Sequence, residues 1–208
     1  MSSEEVASAV IGAGKREQNT SRNRAAILRA AREAFCEIGF GAATVRDIIR
    51  RTDLATGTFY NYFPDKEALL HELIEEFQLE LRQRVHAARE AAESLEDLMR
   101  SAFRACFELF VEDEMIVTLL KRNAGEIEQL MTVKALDPAA SELANDLRAK
   151  AREGVVPPMD FDLMSLAAVA VGSEVAFRHV RTRADVETAT EFATDLFLGG
   201  IERMSRKA

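Results

Sequence analysis

Apolar residues recur at intervals of three and four along most of the 208 residues, which is the pattern of amphipathic helices. Ala, Leu, Glu and Arg dominate, with only four Pro, so the composition also favours helix. The pattern predicts an all-α fold of about nine helices. Seven are expected at about 22–38, 66–89, 95–111, 115–133, 138–153, 161–181 and 186–204, and two short ones lie after residue 44 and over 56–63.

The segment 44–66 has the densest local signals. Thr44 and Asp47 have the spacing of a capping box, and residues 52–55 have the composition of a turn. Pro64 ends the short helix that follows, because proline disfavours helical geometry in the residue before it. Asp65 is placed to cap the next helix. These signals predict two short helices joined by a tight turn.

The second short helix is too small to contribute much core. It carries hydroxyls, an amide and an exposed backbone, which are groups that contact phosphates and base edges. Two helices joined by a tight turn, with a polar second helix, is typical of a helix-turn-helix whose second helix enters the major groove.

At this point the segment resembles the DNA-binding domain of the TetR family of bacterial transcription regulators. The similar runs are RAAILRAAREAFCEIGF from Arg24, then TVRDI, then TGTFYNYFPDKEALL, and together they span about 22–70. The resemblance implies a three-helix helix-turn-helix domain at 21–66, followed by a larger helical ligand-binding and dimerisation domain at 67–208. Residues 1–20 are predicted to be a flexible tail with a basic end.

The resemblance also implies roles for individual residues. Contacts to base edges are expected from Gly57, Tyr60 and Asn61. Contacts to phosphates are expected from Thr44, Thr56, Thr58, Tyr62 and Lys66. Phe59 and Phe63 are expected in the core.

Three positions depart from the family pattern. Ile49 stands where a small Ala is usual, Asp53 where a turn Gly is usual, and Ala55 where a capping Ser or Thr is usual. Loss of that cap costs about 1 kcal/mol. The motif survives all three changes.

Net charge is −8, but the charge is unevenly distributed. Residues 15–66 contain ten basic and six acidic side chains, a net charge of +4, whereas residues 67–208 contain 17 basic and 27 acidic side chains, a net charge of −10. A basic N-terminal part on an acidic body is consistent with a DNA-binding unit attached to a separate domain.

The last two predicted helices, the eighth and the ninth, are apolar on most faces. A helix of that kind must be buried on most faces, and small residues such as Ala167, Gly172 and Ala193 permit close packing. We therefore expect a homodimer whose interface is a four-helix bundle of these helices from two copies.

The resemblance further implies an effector pocket among the fourth to eighth helices. The candidate lining residues are Phe103, Phe107, Met115, Leu119, Asn123, Met164, Val171, Glu174 and Arg178. An apolar stripe at helical spacing is also ordinary core. Glu174 and Arg178, four residues apart, are spaced to satisfy each other.

Other classes of function lack support in the sequence. Cys36 and Cys106 are far apart in apolar surroundings and are expected to be buried thiols. No catalytic or metal-binding residue is predicted, and no cofactor, since the chain lacks the zinc-protease, phosphate-loop and hydrolase motifs. No signal peptide or membrane span is predicted, so a cytoplasmic location is expected.

The sequence thus predicts a DNA-binding transcriptional regulator without enzymatic activity. The favoured form is a homodimeric repressor that binds a palindromic operator. A small, hydrophobic ligand releases it by shifting the fourth helix and so respacing the two DNA-binding heads. The alternative is a DNA-binding regulator with no small-molecule input, whose C-terminal domain only dimerises or binds a protein partner.

Overall fold

A computed structural model describes residues 3–130 and 137–205 of the chain, with side chains for 18–127 and 138–204. The described residues form helices and no strands, as predicted. The helices are α1 Ser3–Glu37, α2 Val45–Ile49, α3 Thr56–Phe59, α4 Lys66–Glu90, α5 Leu95–Glu112, α6 Glu114–Arg122, α7 Ala124–Leu130, α8 Asp137–Arg152, α9 Phe161–Arg178 and α10 Arg183–Ser205.

The N-terminal head is formed by α1, α2 and α3 around a small apolar core. Ile27, Ala31 and Phe35 of α1 are fully buried, as are Ile48 of α2 and Phe59 of α3. The expectation that the aromatic residues of the motif belong to the core is confirmed for Phe59, and also for its partner at position 63, which is 3% exposed. The head therefore has its own hydrophobic support beneath a polar outer surface.

Local chemistry sets the ends of these helices, and the predicted caps at Thr44 and Asp65 are present. Gly39 has φ +83°, so it ends α1 in a conformation that favours glycine. Both hydrogen bonds of the capping box between Thr44 and Asp47 are present at the start of α2. Asp65 caps α4 by accepting a hydrogen bond from the Ala68 N–H at 2.8 Å.

The structure corrects two boundaries in the head. α1 begins at Ser3, so residues 3–20 of the segment predicted as a flexible tail are helical; they include no Pro to prevent the helix from extending. α3 ends at Phe59 rather than 63. The chain continues in a tighter turn, in which the N–H groups of Asn61 and Tyr62 donate to carbonyls three residues earlier; Pro64 just beyond is incompatible with a longer helix.

The body packs around α5, which contacts α4 on one side and α9 and α10 on the other. Aromatic pairs hold these helices together. Phe103 of α5 lies against Phe197 of α10 with 5.6 Å between ring centroids, and Phe77 of α4 meets Phe110 of α5 edge-on at 5.4 Å. α4 starts in the head and runs through the body, so it joins the two mechanically.

The predicted sixth helix is two helices. The chain breaks at Asn123, with φ −114° and ψ 25°, rather than at Gly125, which lies inside α7. The break has a physical cause, because the Asn123 side chain is buried and bonded to the head. The predicted end of this helix at Val133 lies outside the described residues.

The last helix begins earlier than predicted. Thr182 and Asp185 form a capping box, in which each side chain bonds the other residue's N–H. The helix therefore starts at Arg183 instead of 186. Over the described ranges, no helix combines the length and apolar character that crossing a membrane requires.

Candidate nucleic-acid interface

The outer surface of the head is polar around α3. Thr56, Gly57 and Asn61 are exposed, and the Tyr60 side chain is 61% exposed. Within the described part of the chain, no residue forms a hydrogen bond with the side-chain amide of Asn61. This group of exposed side chains, which we call the α3 surface, offers amide, hydroxyl and backbone groups to a nucleic acid.

Thr58 and Tyr62 flank the α3 surface and are half-buried. The Tyr62 hydroxyl accepts a hydrogen bond from Asn23 Nδ2 at 3.2 Å. Because the hydroxyl only accepts in this bond, its own proton is still available to a phosphate oxygen. Asn23 thus orients the Tyr62 side chain and leaves the hydroxyl proton of Tyr62 unused.

Lys66 differs from the other predicted phosphate contacts. Its Nζ donates to the carbonyls of Phe40, Gly41 and Ala43, at 2.8, 3.4 and 3.0 Å, and lies 4.4 Å from the centroid of the Phe40 ring. An ammonium has three N–H donors, and all three have acceptors here. Lys66 therefore holds the loop between α1 and α2 in this structure, and its predicted contact with phosphate stays a prediction.

The Thr44 hydroxyl is also occupied. It accepts from the Asp47 N–H at 3.2 Å and donates to Asp47 Oδ2. The hydroxyl and the backbone N–H of Thr44 both donate to the Asp47 carboxylate, and these two bonds hold the pKa of that carboxyl below its usual value. A hydroxyl has one proton, so Thr44 as it stands offers no donor to a phosphate.

Two cations that the sequence analysis did not single out complete the interface. Arg46 on α2 and Arg50 at its C-cap are exposed, and neither forms an ion pair with any residue that the structure describes. Arg51, in contrast, donates to Glu37 Oε2 at 2.7 Å. The sequence signal for these two cations was the run RDIIRR, in which positions 46 and 50 are four residues apart and so lie on one face of a helix.

The three departures from the family pattern are accommodated. Ile49 is 4% exposed and joins the core. No non-glycine residue in the described ranges has a positive φ, so Asp53 does not need the freedom of glycine. Ala55 provides no side-chain cap for α3. Thr52 supports the turn instead, since its hydroxyl donates to the Ile49 carbonyl at 2.8 Å and accepts from the Leu54 N–H at 3.2 Å.

The body contains a cavity of about 90 Å³ between α4, α5, α8 and α9. Most of its wall is apolar. Burial raises the pKa of the Cys106 thiol in this wall to about 12, so that thiol stays protonated. The lining residues are Leu81, Arg82, Val85, Arg89, Met99, Ala102, Phe103, Cys106, Ala139, Glu142, Leu143, Ala168, Val169, Gly172 and Ser173.

The cavity includes only Phe103 of the nine predicted pocket residues. Phe107, Leu119 and Met164 are buried in the core. Val171 is half-buried and packs against that core. The sequence predicted apolar helices correctly but not which faces meet, because that depends on packing between distant segments.

The other four members of the predicted pocket also lie elsewhere. Met115 is 43% exposed on α6. Glu174 and Arg178 form an exposed ion pair with each other on α9. Asn123 is 1% exposed and bonds the backbone of the head.

Sequence reasoning missed Arg89, which lines the cavity and is 5% exposed. It lies four residues after Val85 and eight after Leu81, on the apolar stripe of α4 that faces the cavity. A charged residue on an apolar stripe was the available signal.

A short polar α3 on a small apolar core, attached to a helical body, defines a helix-turn-helix protein. A family model for bacterial regulatory proteins of the tetR family matches residues 27–73. Residues 27–73 therefore have the DNA-binding domain of the tetR family of bacterial regulatory proteins.

Two relatives and one solved structure show the extent of the similarity. The HTH-type transcriptional regulator UidR of Escherichia coli K12 is 26% identical over 136 residues, 65% of this chain and 69% of UidR. The HTH-type transcriptional repressor KstR2 of Mycolicibacterium smegmatis is 25% identical over 143 residues, 66% of this chain and 70% of KstR2. The fatty acid degradation regulator FadR from Bacillus halodurans has the same fold, with a TM-score of 0.72 and 21% identity over 86% of this chain and 95% of FadR.

Proposed function

We propose that the protein is a homodimeric repressor that binds a near-palindromic operator through the α3 surface. The observation that carries this proposal is the exposure of Thr56, Gly57, Tyr60 and Asn61 above the buried Phe59. Such groups are positioned for base edges and phosphates rather than for the core. Because KstR2 is a repressor, the similarity to it supports repression rather than activation.

Within the α3 surface, Asn61 is the candidate for direct base contact. Its amide offers a donor and an acceptor, the pair that adenine requires for a bidentate contact. Arg46 and Arg50 supply positive charge beside it for the phosphate backbone. In this proposal, residues 21–66 form the DNA-binding unit and residues 67–208 form the regulatory and dimerisation unit.

The dimer interface is proposed on α9 and α10. In one chain these helices expose large apolar side chains, namely Leu163 at 64%, Leu166 at 45%, Phe192 at 59% and Leu196 at 49%. Gly199 on the same part of α10 has open space where a Cβ would stand. A second copy of the same face would bury these groups, as a symmetric dimer does, and would place two heads on one duplex.

Effector control is proposed through the cavity between α4, α5, α8 and α9. α4 lines the cavity and also begins in the head, so a ligand that displaces α4 would respace the two heads. α6 is a second route by which a change in the body could reach the head, because Asn123 at its end hydrogen-bonds the α1–α2 loop directly. The alternative is a regulator without an effector, whose C-terminal domain only dimerises or binds a protein partner.

Selection of bound duplexes from a random library tests DNA binding. We expect an enriched pair of inverted half-sites, spaced by about one helical turn or a multiple of it. Absence of any enriched sequence would contradict the proposal. A melting-temperature screen across metabolites then separates the effector-controlled regulator from the alternative, since only the former gains stability from a ligand.

A further inference from the structure

The side chain of Arg89 is a buried cation with unused donors. It is 6% exposed and its Nε donates to Asp146 Oδ2 at 2.8 Å. Across the ranges that the structure describes, no residue accepts a hydrogen bond from either of its terminal nitrogens. A guanidinium has five N–H donors, so four of them lack a protein acceptor beside the cavity.

The terminal nitrogens of Arg89 are not among the fully enclosed polar atoms that lack a partner, so water can reach them and accept from these donors. A leucine at this position would continue the apolar stripe of α4 without burying a charge. A ligand with acceptor oxygens can replace that water at Arg89. This is the pattern of a site prepared for a ligand, in which a few polar groups lie on an apolar wall.

The surroundings of Arg89 indicate what that ligand is. Met99, Phe103 and Val169 provide an apolar wall. At the rim, Arg82 and Glu142 approach each other at 3.7 Å, so their charges offset one another. His86 Nδ1 lies 3.5 Å from the same Asp146 oxygen that Arg89 contacts. Arg89 is thus the buried cation on the cavity wall whose terminal donors have no acceptor among the described residues.

We propose that this cavity binds an organic carboxylate with a short apolar body, its carboxylate on the terminal nitrogens of Arg89. Two parallel N–H···O bonds from one guanidinium match the two oxygens of a carboxylate. The inference rests on the proposed function, because it identifies the chemical class of the effector.

The cavity volume sets the size of the apolar body. At about 90 Å³, the space equals roughly three water molecules at ~30 Å³ each, and it is smaller than the ~150 Å³ cavity that holds benzene. Scaled from benzene, which has six carbons, the space holds an apolar body of roughly two to three carbons, as in propionate and butyrate whose carboxylate lies on Arg89 at the cavity wall. Longer chains must displace the Phe103 ring, which packs so closely that a Cβ on Gly172 would lie 3.1 Å from its Cε1.

Straight-chain carboxylates from propionate to octanoate, with the matching primary alcohols as neutral controls, provide the test. Binding is measured on the full chain by thermal unfolding and calorimetry without DNA. A short acid at tenfold its dissociation constant is expected to raise the melting temperature by about 3–5 °C, and the matching alcohol is not. If no acid in the series binds, or if alcohols bind as well as acids, the inference is wrong.

Variants locate the site. Arg89→Gln is expected to abolish the shift from the acids, whereas the exposed control Arg100→Gln, which loses only an ion pair with Glu96, retains it. If Arg89→Gln does not fold, Ala168→Leu serves instead, because it fills the cavity and should also abolish the shift. Acid binding that persists in the folded variant contradicts the inference.

DNA affinity measured without acid tests the proposed function separately. A chain that binds its operator but no carboxylate refutes this inference alone. A chain that binds carboxylate but no DNA refutes the proposed function instead.

Discussion

Asn123 Oδ1 accepts a hydrogen bond from the backbone N–H of Phe40 at 2.6 Å, across 83 residues of sequence. Its Nδ2 donates to the carbonyls of Leu119 and Phe35, at 2.7 and 3.4 Å. The carbonyl of Phe40 accepts from Lys66 Nζ. One residue of the α1–α2 loop is therefore held by the body on one side and by the start of α4 on the other.

Asn123→Ala should lower the free energy of unfolding by about 1–3 kcal/mol, because it leaves the buried Phe40 N–H without an acceptor. Chemical denaturation measures this change. Asn61→Ala is the matched control, since Asn61 is exposed, and it should change stability by less than about 0.5 kcal/mol. Equal effects of the two substitutions would mean that the Asn123 bonds do not hold the head to the body.

Lys66→Met and Arg50→Ala should differ in the salt dependence of DNA binding. Arg50 is a free exposed cation, so its loss should reduce the slope of log K against log salt by about 1. Lys66 is committed to three carbonyls, so its loss should destabilise the loop and leave the slope nearly unchanged. Binding isotherms at several salt concentrations measure both slopes. A reduced slope for Lys66→Met would contradict this expectation and support the phosphate contact that the family resemblance implies.

The capping box of α2 should respond to acid. Bonds to Thr44 hold the pKa of Asp47 below its ordinary value, so its contribution to stability is present above the pKa of the unfolded chain. That contribution is lost as pH falls through the lower pKa of the folded state. NMR titration of Asp47 should show the depressed pKa, and Thr44→Ala should return it toward the ordinary value. An unchanged pKa in that variant would contradict this assignment.

Phe192→Asp on α10 should convert the proposed dimer to a monomer, because it places a charge in the apolar face between two copies. Light scattering coupled to gel filtration gives the mass directly. Leu79→Asp is the control, as Leu79 is 48% exposed on α4, away from that face. A wild-type chain that runs as a stable monomer would contradict the dimer.

Local signals in the sequence predicted the helices and many of their ends. Gly39, Thr44 and Asp65 act through neighbours within four residues, so the sequence alone is enough to identify them. Asn123 and Arg89 act through partners more than 50 residues away. Their roles depend on which helix faces meet, and helical periodicity does not determine that.

The same distinction between local and distant partners explains which residues of the candidate sites could be predicted from the sequence. The α3 surface could be predicted because its residues are consecutive in a specific motif. Lys66 and Thr44 belong to that motif too, but the carbonyls around Lys66 and the geometry of the Asp47 carboxylate near Thr44 emerge only in three dimensions. The cavity wall draws on four helices, so a list of apolar residues could not identify it.

The most direct test of DNA recognition by the α3 surface compares wild type with Asn61→Ala on two duplexes, the selected operator and a random sequence. Because Asn61 is assigned to a base edge, its loss should weaken operator binding by about 1–3 kcal/mol and leave binding to the random duplex unchanged. Equal weakening on both duplexes, or none on either, would contradict the account.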